Sequence, residues 1–97
     1  MRRLRVRAVA RAEIAAALDW YLGRSPRAAT RFLDSVDAAI KTVESAPARQ
    51  PIIRGRLRRL LLVGFPYAVY YKIYPSVVSV VGVIHGHRHP NTWLRRG

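Results

Sequence analysis

The sequence predicts an α+β fold: an N-terminal strand, an antiparallel two-helix hairpin, and a small, mainly antiparallel sheet on which the hairpin packs. Three observations predict it. Apolar residues alternate with arginines over the first eight positions, recur at helical spacing over the next thirty-odd, and return after position 56 as three strand-like runs parted by short Gly- or Pro-containing turns. The expected order is β-α-α-β-β-β with a short C-terminal tail, and a helical hairpin over one sheet face is the economical way to bury such stripes. At 97 residues the chain has the size of one domain, and residues 1–97 are read as a single unit.

Leu4, Val6 and Ala8 alternate with Arg3, Arg5 and Arg7, giving a short strand with one basic face. From Ala10 to Leu22 the spacing of Ile14, Leu18, Tyr21 and Leu22 is helical, and Gly23 stands where a helix ends. Ser25-Pro26 reads as an N-cap followed by proline in the first turn. The second helix carries Ala29, Phe32, Leu33, Val36, Ile40 and Val43 on one stripe, until Ala46-Pro47 closes it. Pro47 to Gly55 reads as a loop. The strands follow at Leu57 to Val63, Ala68 to Tyr74 and Val77 to Ile84, separated by Gly64-Phe65-Pro66 and by Tyr74-Pro75-Ser76. Pro90 to Arg96 reads as a brief helical tail.

Charge is the strongest compositional signal. Eighteen Lys and Arg, sixteen of them Arg, face five Asp and Glu, for a formal net charge of +13. No side-chain carboxylate follows Glu44, whereas Arg49, Arg54, Arg56, Arg58, Arg59, Lys72, Arg88, Arg95 and Arg96 all do. Such a surface calls for an anionic counterpart, whether nucleic acid, an acidic protein segment or anionic lipid. The absence of cysteine excludes disulfides and thiol catalysis and fits a cytoplasmic setting. Charged residues interrupt every candidate signal-peptide core, and Pro66, Lys72 and Pro75 cut the apolar stretch from Leu60 to Ile84, so no membrane partner is expected.

Few residues offer chemistry. Arg54, Arg56 and Arg58 would point one way from an extended chain and Arg59 the other, forming a cluster for phosphates or a partner's carboxylates. Tyr67, Tyr70, Tyr71 and Tyr74 crowd one hairpin and read first as strand-forming, cross-strand packing residues. His85, His87 and His89 share a face of an extended chain, but nothing nearby completes a ligand set, and no metal is expected. Imidazole at His85 or His87 could serve as a general acid or base. Glu13, Asp19, Asp34, Asp37 and Glu44 all fall on the helices and read as solvent-facing. There is no Gly-rich phosphate loop or nucleophile elbow, and no cofactor is expected.

The runs Gly55-Arg-Leu-Arg-Arg, Gly64-Phe-Pro-Tyr-Ala-Val-Tyr-Tyr and Val80-Val-Gly-Val-Ile-His-Gly-His-Arg-His-Pro resemble the RelE/ParE superfamily of type II toxins, as do Trp20-Tyr21 and Ala28-Ala29-Thr30-Arg31-Phe32. The resemblance implies a cytoplasmic toxin, a cognate antitoxin that wraps it in a hetero-oligomer, and an association with plasmid stabilisation. Two actions are open. ParE-like members inhibit DNA gyrase by binding; RelE-like members cleave mRNA on the ribosome as endoribonucleases. RelE-like toxins place an arginine after the tyrosine of the central hairpin, whereas here Ala68 follows Tyr67, and Trp93 stands where they carry a late tyrosine. An indole donates a hydrogen bond but shuttles no proton at neutral pH. The ParE-like branch is therefore the preferred reading. The partner surface is expected at Arg54, Arg56, Arg58, Arg59, Tyr67, Arg88, Trp93 and Arg95. If the chain is instead a ribonuclease, Arg58, His85, His87 and Arg88 are the catalytic candidates.

Overall fold

The structure is a computed structural model and describes residues 2–86. Strand β1 (Arg3–Val6) leads into helix α1 (Ala8–Leu22), and helix α2 (Pro26–Ser45) follows after three residues. Ser25 caps α2 as its sequence predicts. Its hydroxyl accepts the Ala28 N–H at 3.0 Å, and Pro26 fills a first-turn position where a missing N–H costs nothing. A 3-10 turn at Pro47–Arg49 precedes β2 (Ile52–Arg54), β3 (Leu57–Leu61), β4 (Tyr67–Ile73) and β5 (Val77–His85).

The strands form one sheet in the order β1-β5-β4-β3-β2. All neighbours are antiparallel except β1 and β5, which run parallel with Arg3 opposite Val77 and Val6 opposite Val80. A parallel pair needs a long crossover, and the helical hairpin lies within the one that joins these strands.

Two expectations are corrected. The segment Pro47 to Gly55 is not all loop: Ile52–Arg54 pairs with β3 across a tight turn in which Gly55 takes φ 55°, a left-handed conformation that disfavours side chains. Arg54, Arg56 and Arg58 therefore do not share one extended face, because the turn falls between them. Further along, β3 stops at Leu61, since Leu62 N–H bonds the Tyr67 carbonyl at 2.9 Å and Gly64 turns the chain at φ 82°. The expected helical turn at Pro90 to Arg96 lies outside the described residues.

The helices cover one sheet face. Ala10 and Ala17 of α1, and Phe32, Val36, Ala39 and Val43 of α2, pack with Val69, Tyr71, Val78, Val80 and Val83. Leu4 and Val6 join this cluster, which places Arg3 and Arg5 on the other face. That second face holds Leu57, Ala68, Tyr70, Val81 and Ile84, all buried. One irregularity aligns the long strand β5 with both clusters. Tyr70 pairs with Gly82 and Tyr71 with Val80, so Val81 is an extra residue that inverts the alternation beyond it. Val80 and Val83, an odd interval apart, consequently both face the helices.

Candidate partner-binding site

The predicted residues fall into two places. At the hairpin end, Arg58 lies on β3 between Ile52 and Tyr71 in register. Its Nη1 donates to the Gln50 carbonyl at 2.6 Å and to the Ala48 carbonyl at 3.1 Å. Beside it, the Tyr71 hydroxyl donates to the Pro47 carbonyl at 2.6 Å. Two side chains of adjacent strands thus pin the turn that leaves α2. Burial pushes the Tyr71 phenol above its usual range, while the Arg58 cation pulls the other way. Arg58 is consequently an anchor of the fold, with its Nη1 bonded to backbone carbonyls.

The neighbouring arginines diverge. Arg56 is exposed, donates to the Ile73 carbonyl at 3.3 Å, and holds its guanidinium 5.4 Å from the centre of the Tyr74 ring. Arg54 is exposed opposite Leu57, and Arg59 pairs with Tyr70 on the face away from the helices. Of the predicted cluster, Arg54 and Arg56 are exposed at this end of the sheet, Arg59 is half-buried on its far face, and Arg58 is half-buried with its Nη1 on two backbone carbonyls.

The second place is the far end of β4 and β5, where Tyr67 pairs with His85 and their rings lie 5.6 Å apart. Tyr67 also meets Phe32 at 5.6 Å and Tyr21 at 6.4 Å, and Phe65 closes the cluster against Tyr21 and Phe32. Burial, with the neighbouring Tyr67 as a lesser cause, raises the Tyr21 phenol above its ordinary value. Ala68 is fully buried on the opposite face, so the position after Tyr67 contributes a packed methyl group and no charge. His87, Arg88, Trp93 and Arg95, with His89, lie outside the described residues. Among the described residues, no three His, Cys, Asp or Glu side chains gather as metal ligands. Nor is any described helix long and apolar enough to cross a membrane.

One functional-looking residue escaped sequence reasoning. Glu13 is only partly exposed, and its carboxylate accepts the Val83 N–H at 3.1 Å. Strand β1 ends at Val6, and the Arg7 N–H to the Val80 carbonyl, at 2.9 Å, continues its bonding to β5 by one residue. Beyond that point Glu13 takes over the work of a missing strand. The signal was present: Glu13 falls three residues after buried Ala10 and four before buried Ala17, on the inward side of α1.

Glu13 also lines an open groove of about 540 Å³ between α1 and the ends of β4 and β5. Ala16 and Ala17 leave room on the helix side, Trp20, Tyr21 and Tyr67 supply aromatic walls, and Pro66, Val83, Ile84 and His85 complete the lining.

Comparison with known proteins agrees with this architecture. The profile of a family described as the ParE toxin of type II toxin–antitoxin system, parDE, matches residues 4–90. Among curated proteins no sequence match is found. A solved structure titled as a chromosomal ParDE TA system from P. aeruginosa superposes with a TM-score of 0.78 at 17% identity, covering 88% of this chain and 96% of that one. At that identity the likeness concerns the fold. The strand–hairpin–sheet order and the family match over nearly the whole chain together lead to one assignment: this chain belongs to the ParE toxin family of type II toxin–antitoxin systems.

Proposed function

We propose that the chain is the toxin of a cytoplasmic toxin–antitoxin pair, that it inhibits DNA gyrase by binding, and that a cognate antitoxin neutralises it in a hetero-oligomer. The observation that carries this reading is at Tyr67. A ribonuclease acting on the 2′-hydroxyl needs a cation on the scissile phosphate and a proton carrier beside it. The residue after Tyr67 is a buried alanine, and Arg58 spends its Nη1 on the Ala48 and Gln50 carbonyls. What the molecule offers in abundance is charge for binding: a formal +13, with Arg54, Arg56 and Arg59 around one end of the sheet. We place the partner's acidic segment there, with Tyr67 at the far end of β4 as a separate contact, and assign Arg88, Trp93 and Arg95, outside the described residues, to the same partner.

The decisive experiment mixes purified protein with gyrase and relaxed plasmid. The expected result is a block of supercoiling or accumulation of cleaved DNA, relieved by the antitoxin. Unchanged supercoiling at a large excess of toxin would refute the reading.

The His85 ring against Tyr67 favours one alternative, a ribosome-dependent mRNA interferase using His85, His87 and Arg88. Toeprinting of translated message distinguishes it: cuts that disappear in an Arg88→Ala, His87→Ala protein would establish the alternative.

A further inference from the structure

We infer that the sheet end at which β1 begins, where the β2–β3 and β4–β5 turns also lie, is a binding site for the phosphate backbone of a nucleic acid. Three stretches distant in sequence meet there. Arg2 precedes β1, and its Nε donates to the Tyr74 carbonyl at 3.0 Å. Arg56, in the turn between β2 and β3, donates through Nη1 to the Ile73 carbonyl at 3.3 Å and holds its guanidinium 5.4 Å from the centre of the Tyr74 ring. Arg3 opens β1 opposite Val77, and its backbone N–H donates to the Ser76 carbonyl at 3.0 Å. Arg2, Arg3 and Arg56 are all exposed.

These arginines are pinned without being buried, which sets them apart from Arg58. A guanidinium carries five N–H donors. Arg2 and Arg56 each spend one on neighbouring carbonyls of the same strand end, and the rest remain for an anion. Their side chains are thus ordered in advance, so less freedom is lost when a phosphate arrives. The field around them is also unopposed. Residues 2–6 and 52–77, which build this end, contain no side-chain carboxylate, and all five in the sequence fall on α1 and α2. Clustered charge of one sign raises the local concentration of an anionic polymer and speeds its arrival.

The rest of the surface selects the occupant. A protein partner is held by an apolar anchor as well as by charge. Among the described residues, no exposed large apolar side chain lies within residues 2–6, 54–57 or 72–77. Nucleic-acid interfaces are instead polar and strongly positive, and the guanidinium fork matches phosphate oxygens. Arg56 belongs as well to the surface proposed for the partner's acidic segment, so a nucleic acid and that segment exclude each other there. The site goes beyond the gyrase reading and does not depend on it.

The test titrates the whole protein into short labelled probes of one sequence, as duplex DNA, single-stranded DNA and RNA, and into labelled polyglutamate of matched charge. Fluorescence anisotropy is read at several salt concentrations. Nucleic acid should bind with an affinity that falls as salt rises, and the tightest of the three probes identifies the kind of strand. An Arg2→Gln, Arg56→Gln protein should bind it at least about tenfold more weakly, with the slope of log affinity against log salt shallower by about two, roughly one per lost phosphate contact. An Arg27→Gln, Arg31→Gln protein loses the same charge from the exposed side of α2 and should bind less than about threefold more weakly, because salt screens cations that touch no phosphate. Arg3→Gln leaves its backbone bond to Ser76 intact and should make the slope shallower by about one, a result that a folding defect in the double variant would not hide. Circular dichroism verifies that each variant is folded. Equal losses in the α2 variant, unchanged slopes in the Arg2, Arg56 and Arg3 variants, or polyglutamate bound as tightly as every nucleic acid would overturn the proposal. A failed supercoiling assay would leave this result standing.

Discussion

The Glu13 carboxylate accepts the Val83 N–H at 3.1 Å, so a helix side chain completes the hydrogen bonding of a strand whose neighbour has ended. A half-buried amide stripped of its acceptor costs about 1–3 kcal/mol. Glu13→Ala is expected to lower stability within that range and to speed hydrogen exchange at Val83 far more than at Val78. Glu13→Gln keeps a carbonyl oxygen in place and should lose less than half as much. Urea titration of the three proteins, with amide exchange at Val83, checks both statements.

Arg58 and Tyr71 hold the Pro47–Gln50 turn through three carbonyls. Arg58→Ala should cost about 1–3 kcal/mol by removing charge-assisted bonds, and Tyr71→Phe about 1 kcal/mol. Limited trypsin digestion offers a local readout, because Arg49 sits in that turn. Faster cleavage after Arg49 is expected in both variants, with cleavage elsewhere little changed.

Phe32 is fully buried and touches Tyr21, Phe65 and Tyr67 across the junction of α2, α1 and β4. Phe32→Ala should cost about 3–5 kcal/mol through lost transfer and a residual cavity. Thermal unfolding followed by circular dichroism measures it. Phe32→Leu, which retains more of the volume, should recover part of the loss.

Tyr21 and Tyr71 both have phenols raised by burial. Their folded values exceed the unfolded value near 10, so their contribution is intact below about pH 10. It is lost as pH rises from there through the folded values, because the unfolded chain releases the protons first. Stability should therefore fall above about pH 10, and a Tyr21→Phe, Tyr71→Phe protein should fall less steeply there. Chemical denaturation at several alkaline pH values gives the slope.

Much of this molecule was legible from its pattern. Ser25-Pro26 marks the start of α2, and the stripe through Phe32, Val36 and Val43 is buried as its spacing implies. Leu22 breaks the rule on α1: helical spacing counts it inward, yet it is 50% exposed, because Ala10 and Ala17 bring the helix close to β5 along a narrower line. Strand β2 was missed because three residues between Pro51 and Gly55 carry no alternation long enough to detect. The anchoring bonds of Arg58 were hidden for a different reason. Its role rests on carbonyls eight and ten residues away in sequence, and a backbone acceptor has no residue type to announce it. Trp20 and Arg24 were individually visible, but their stacking depends on how the chain leaves α1.

The parallel contact between the first strand and the last has a bearing on how the toxin is born. Arg3 finds its place opposite Val77, so β1 has no strand to pair with until β5 has been translated. Pairings so distant in sequence are slow to form. The β1 edge of the sheet therefore closes only after the strand from Val77 to His85 has left the ribosome.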